Sequence, residues 1–141
     1  MNEAQIIEFI TKNYKGVYIT TNGGDSFFLY DPEGKFPLAT LVTSDDDYDQ
    51  SANLNRPGVF RLNVGVSKEK FREMFGTEET AYDYPALDKI MPHPVYGKMY
   101  WVGVLNPSQA TFDNQIKPML DAAYQKDVAK YAKKAARKEE N

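Results

Sequence analysis

The first patterned stretch of the chain sets Ile6, Phe9 and Ile10 at helical spacing, with Asn13 on the same face. Asn2 stands where an N-cap is wanted, Gln5 three residues on completes a capping box, and Gly16 follows the last turn. A helix over about residues 3–14 is predicted. The period then changes. Residues 17–21, 26–30 and 36–43 are short runs rich in β-branched and aromatic side chains, separated by Asn22-Gly23-Gly24-Asp25 and Asp31-Pro32-Glu33-Gly34. Glycines able to take positive φ and a proline of fixed φ are hairpin turn chemistry, so three antiparallel strands in a meander are expected.

Polar residues 44–55 interrupt this pattern, and Arg56-Pro57-Gly58 closes them with proline and glycine at the centre of a type II turn. Strict alternation follows. Phe60, Leu62, Val64 and Val66 point to a core and Arg61, Asn63 and Gly65 away from it, as in a sheet covered on one side only. Ser67 caps a second helix carrying Phe71, Met74 and Phe75, with Gly76 at its end. Residues 84–90 read as a short helical turn, residues 91–97 as a stiff loop and residues 99–105 as a further strand. Asn106 as N-cap and Pro107 at the first position open the last helix, which runs towards Arg137 with a kink expected at Pro118. Strands in runs, with helices before, between and after them, give the α+β class. The expected architecture is a two-layer sandwich with an antiparallel sheet of about five strands, helices on one face, and the order α-β-β-β-β-α-β-α. With no repeat or linker to divide it, the chain is expected to form one unit over residues 1–141.

Composition narrows the chemistry. The 141 residues include no cysteine and one histidine, which excludes disulfides, thiolate nucleophiles and any site of two or more imidazoles. A chain of this length buries roughly two thirds of its unfolded surface, so a core without metal or disulfide staples is feasible. The start, Met1-Asn2-Glu3-Ala4-Gln5, lacks the basic and apolar regions of a secretory signal, and no run approaches the ~18 apolar residues of a membrane span. A cytoplasmic location and no membrane partner are expected. Glycine-rich phosphate cradles and the Gly-x-Ser-x-Gly elbow are missing. No catalytic residue is assigned, no metal and no cofactor are expected, and the balance leans against an enzyme.

Four candidate features remain. Asp45, Asp47 and Asp49 take the first, third and fifth places of a calcium loop, but Gln50 replaces its glycine and Arg56 its bidentate glutamate, so a solvated loop is expected. His93, held between Pro92 and Pro94, has an ordinary pKa near neutrality that suits acid–base work; without a Ser or Lys partner in sequence, a structural or partly exposed role is preferred. At the C-terminus Lys126, Lys130, Lys133, Lys134, Arg137 and Lys138 form a basic stripe on one side of the helix. Residues 126–141 carry +3 and the rest of the chain −6, for a total of −3. Phosphate contacts and a solubilising, frayed end are both open readings of that stripe, with the acidic body favouring the second. Lastly, Tyr100 and Trp101 beside Lys98 have the composition of a stacking platform, although strand alternation sends the two rings to opposite faces.

Four blocks carry a family resemblance: residues 36–43 (FPLATLVT), 55–66 (NRPGVFRLNVGV), 91–97 (MPHPVYG) and 101–107 (WVGVLNP). They resemble the signature blocks of a bacterial domain-of-unknown-function family. More distantly, the order of blocks is similar to the MmcQ/YjbR group: a sheet strand, a strand leading into a Phe-containing helix, a Pro/His loop, a Trp strand and a last helix with an Ala-Tyr step, here Ala123-Tyr124. That resemblance implies a two-layer α+β domain with helices on one face of an antiparallel sheet. The group is commonly labelled DNA-binding, but its basic His-x-Asn-Lys-x-His-Trp block is replaced here by Val95-Tyr96-Gly97-Lys98-Met99-Tyr100, and no catalytic residue carries over.

The sequence therefore supports a non-catalytic binding or interaction module that uses the outward sheet face around Arg56, Arg61, Asn63, His93, Tyr96 and Trp101. Two other readings stand beside it. One is nucleic-acid binding through Lys126, Lys130, Lys133, Lys134 and Arg137; the other is a small-ligand or enzymatic site at His93. A protein partner or self-association is compatible with the first.

Overall fold

The computed structural model describes residues 1–140; Asn141, the last residue of the basic 126–141 segment, lies outside the described residues. Helix α1 (Glu3–Asn13) starts at the expected capping box: the Gln5 amide donates to Asn2 Oδ1 at 2.8 Å and the Asn2 amide to Gln5 Oε1 at 2.9 Å. Strands β1 (Tyr18–Asn22), β2 (Asp25–Leu29) and β3 (Ala39–Val42) form the meander, joined by β4 (Arg61–Gly65). The Arg56–Val59 turn closes with Gly58 at φ 73°, as a type II turn requires. Helix α2 (Lys68–Phe75) is capped by Ser67 Oγ, which accepts from the Lys70 amide. Then come β5 (Met91–Pro92) and β6 (Trp101–Leu105), and the sheet is antiparallel in the order β1-β2-β3-β4-β6-β5.

The sheet has six strands where about five were expected, because the Pro-rich segment contributes β5. Pro92 sits on an edge strand, where a missing N–H costs no ladder bond. Just upstream, residues 84–90 make no helical turn. The Asp88 amide instead donates to Leu105 O at 2.7 Å, with Asp88 at φ 57° and Leu87 bridging Leu105, so this segment runs along the sheet. The last helix also starts later than expected. Asn106, at φ 43°, accepts from the Phe60 amide and donates to Gly58 O, which ties it to the start of β4 and leaves Ser108 as the N-cap. A short α3 (Gln109–Thr111) leads through a π-helical segment, Phe112–Ile116, into α4 (Lys117–Glu140). The interruption expected at Pro118 takes this form because a widened turn gives the proline ring room against the carbonyl four residues back.

One face of the sheet meets the helices. Phe28, Ala39, Leu41, Leu62, Val64, Val102 and Val104 bury there against Ile6 and Ile10 of α1 and against Phe112, Ile116, Leu120 and Ala123. At roughly 1.5–3 kcal/mol for each large side chain, this layer is the main stabilising term.

The opposite face departs from expectation. Arg61 and Asn63 were predicted to face outward on an open side, yet they are 1% and 2% exposed. Residues 44–57 fold back over β3, β4 and β6, seating Ala52 and Leu54 on Leu105 with Val42, Val59 and Tyr84 around them. The acidic run that reads as a solvated loop organises this cover. Asp45 Oδ1 accepts from the Leu54 amide, Asp46 Oδ1 from the Tyr48 and Asp49 amides, and Asp49 pairs with Arg61. Among the described residues, no helix is long and apolar enough to cross a membrane.

Candidate functional site

The cover stops short of the whole face. Beside it lies a groove of about 700 Å3 whose floor includes Thr40 of β3, Arg61 and Asn63 of β4 and Trp101 of β6. Antiparallel register brings these side chains together, since Thr40 pairs with Asn63, Asn63 with Gly103, and Gly65 with Trp101. One glycine shapes the floor. A Cβ on Gly103 would sit 2.9 Å from Arg61 Cδ and 3.0 Å from Asn63 Oδ1, so only glycine lets the arginine lie across β6. Gly65 lies against the Trp101 ring without the same constraint, since a Cβ there would stand 3.5 Å from the ring, an ordinary van der Waals contact.

Arg61 is held from both ends. Its Nε donates to Asn63 Oδ1 at 2.7 Å, while Asn63 Nδ2 donates to Thr40 Oγ1 at 3.0 Å and so fixes the amide's orientation. Nη1 donates to Asp49 Oδ1 at 3.2 Å, and Nη2 donates to Asp49 Oδ2, completing a two-pronged pair. Planar guanidinium and planar carboxylate match in this geometry, which is why arginine rather than lysine serves here.

His93 closes the cluster. Its amide donates to Trp101 O across the end of β6, and the backbone amides of Val95 and Tyr96 both donate to Nδ1 at 3.0 Å. Nδ1 is therefore an acceptor, and the neutral ring carries its proton on Nε2. Nε2 lies 3.1 Å from Arg61 Nη2 and 3.7 Å from Asp49 Oδ2. Burial, reinforced by the Arg61 guanidinium and opposed by Asp49 and Asp46, pushes the imidazole pKa down to about 4. The neutral form dominates at pH 7.

Above this polar floor the walls are apolar and exposed. Phe36 is 60% exposed, Tyr48 86%, Tyr96 51% and Met99 69%, and all four border the groove. Phe36 is presented by a turn knotted around the buried Asp31, whose carboxylate accepts from the amides of Glu33, Lys35 and Phe36. The α4 side contributes Lys126, Asp127 and Lys130. Lys130 Nζ stands 5.2 Å from the centre of the Phe36 ring, a cation–π contact. Asp127 Oδ2 is buried without a hydrogen-bond partner, and burial raises that carboxyl's pKa against the pull of Lys130 and Lys126.

Of the candidate surface residues, Arg61, Asn63, His93, Tyr96 and Trp101 all border this groove. Arg56 lies outside it: its guanidinium donates to the carbonyls of Ala52, Asn53 and Pro85, clamping the cover to residues 83–88. Along the basic stripe, Lys126 and Lys130 reach the groove, whereas Lys133, Lys134 and Arg137 are exposed farther along α4. Lys134 Nζ sits 5.2 Å from the Tyr131 ring centre. Asp49, Thr40, Phe36 and Asp127 are groove residues that the sequence reading did not single out as partners. Only the alternation at 60–66, which sets Arg61 and Asn63 side by side, foreshadows a polar floor. Among the described residues, no group of three or more His, Asp or Glu side chains could hold a metal ion.

Over residues 1–136 the sequence matches a family of unknown function, DUF6194. The chain belongs to that family. No curated protein and no solved structure matches it. The DUF6194 match spans every element that builds the groove, from Asp25 and Phe27 of β2 to the Lys130 turn of α4.

Proposed function

We propose that this protein is a non-catalytic binding module whose site is the outer-face groove and whose occupant is a small organic molecule with an apolar, aromatic body. The observation that supports it most is convergence: exposed Phe36, Tyr48, Tyr96 and Met99 surround one concavity with a buried polar floor. Exposed apolar side chains scattered singly need no explanation, but their gathering around one cavity marks an interaction site. The volume of about 700 Å3 falls within the ~300–1,000 Å3 typical of small-molecule sites.

Chemistry argues against an enzyme centred on His93. Both ring nitrogens face donors, with Nδ1 taken by two amides and Nε2–H turned to the Arg61–Asp49 pair, so neither is free to accept a substrate proton. Nucleic-acid binding through the basic stripe draws less support, because two of its cations, Lys126 and Lys130, border the groove, with Lys130 over the Phe36 ring, which leaves Lys133, Lys134 and Arg137 as the part of the stripe away from it. The distant likeness to the MmcQ/YjbR group is proposed on the order of sequence blocks alone, and a bacterial source on the resemblance of the four blocks at 36–43, 55–66, 91–97 and 101–107.

Trp101, the only tryptophan, lies on the groove and reports on it directly. Titration with 4-phenylbutanol and with 1-anilinonaphthalene-8-sulfonate should change its emission saturably and shield it from acrylamide. No saturable change with either probe at millimolar concentration rejects the proposal.

A further inference from the structure

We infer that Arg61 and His93 form an anion receptor at the floor of the groove, that Asp49 occupies it as a tethered carboxylate, and that the natural ligand is an aromatic carboxylic acid whose own carboxylate takes Asp49's place. The inference rests on the groove being a small-molecule site and adds the chemical class of its occupant.

Two buried donors carry it. Because two backbone amides hold Nδ1 as an acceptor, the one proton of neutral His93 sits on Nε2, facing Arg61 Nη2 at 3.1 Å. That contact sets donor against donor. The carboxylate oxygen nearest to both is Asp49 Oδ2, which bonds Nη2 but stands 3.7 Å from Nε2, beyond hydrogen-bond range. His93, only 5% exposed, thus keeps a buried N–H with no acceptor. An unsatisfied buried donor is costly, and a carboxylate centred between the two groups would satisfy Nη2 and Nε2 together.

Asp49 is placed to leave. It projects from residues 44–57, next to the highly exposed Tyr48, whereas Arg61 is fixed independently through Asn63 and Thr40 and His93 through the Val95 and Tyr96 amides. The receptor therefore survives the loss of Asp49, and Asp49 acts as an internal competitor at an effective concentration on the order of millimolar. Trp101, Tyr96 and Phe36 line the same groove and supply aromatic surface for a flat body.

Calorimetric titration with 4-phenylbutyrate and with its neutral amide tests this on the wild type, Asp49→Ser and Asp49→Asn. The acid should bind the wild type about tenfold or more tighter than the amide does, and should bind Asp49→Ser about tenfold or more tighter than the wild type. Should Asp49→Ser fail to fold, Asp49→Asn must show the same direction of change. In the wild type, saturating acid must also move the 15N resonance of His93 Nε2–H. Equal binding of acid and amide, no gain on removing the Asp49 charge, or an unmoved His93 resonance overturns the anion receptor while leaving the groove standing. Failure of acid, amide and 4-phenylbutanol alike removes both readings.

Discussion

Leu62 and Arg61 are neighbours on β4, both almost fully buried, and they face opposite sides of one sheet. Leu62 joins a wide apolar layer closed by α1 and α4, where many interchangeable contacts share the stabilisation. Arg61 lies under residues 44–57 in a sparse layer, where one guanidinium holds an amide, a carboxylate and an imidazole in fixed directions. The first face stabilises through area and tolerates substitutions of similar volume. The second recovers a desolvation cost through geometry, contributes little net stability, and gains chemical direction in return. In this molecule the stable face and the reactive-looking face are separate, and the groove opens on the latter.

The largest effect that can break this comparison comes from Arg61 itself. Arg61→Met leaves the Asp49 carboxylate unpaired and should cost about 3–5 kcal/mol, whereas Arg61→Met with Asp49→Leu should recover most of it. Leu62→Ala should cost about 2–5 kcal/mol with no rescue from Asp49→Leu. Urea denaturation of the four variants decides it; a double variant no more stable than Arg61→Met would show that the outer face stabilises as the inner one does.

A difference in pH response comes next. The His93 pKa is held near 4 in the folded chain, against about 6.5 unfolded, so the unfolded chain binds the extra proton between those values. Stability should be full above about pH 6.5 and fall as the pH drops towards 4, by on the order of 3 kcal/mol. His93→Asn offers a carboxamide oxygen to the Val95 and Tyr96 amides and should flatten that part of the profile. An unchanged slope would remove His93 as its source.

Gly103→Ala should be smaller, about 1–3 kcal/mol, because its Cβ meets Arg61 Cδ and Asn63 Oδ1 and forces the cluster to shift. Chemical denaturation with His93 15N shifts as a second readout would expose a floor more pliable than drawn. At the small end, Lys133→Gln with Lys134→Gln should change stability by no more than about 0.5 kcal/mol and leave probe binding in the groove unaffected. A loss of binding would extend the site along α4.

Legibility in the sequence followed the range of the interactions. The Asn2 box, the Ser67 cap, the Gly58 turn and the alternation from Phe60 to Gly65 depend on a few adjacent residues, and each is found in place. Asn106 misled because its side chain had a distant customer in the Phe60 amide, which local capping rules cannot see. Residues 84–90 misled for a similar reason, since Leu105 draws their backbone to the sheet. Arg61, Asn63 and His93 were visible as candidates. Their burial was not, because it comes from a polar loop that reads as solvent-facing when taken alone.

Local chemistry by itself determined where α1 and α2 begin, where strands turn and which alternate positions form the apolar layer. Tertiary structure decided that Asp49 pairs with Arg61 twelve residues further on, that His93 arrives from thirty-two residues away, and that two amides place its proton on the side facing them. Such pairings cost chain entropy before any contact returns it, and no local pattern encodes which distant charge will close the loop.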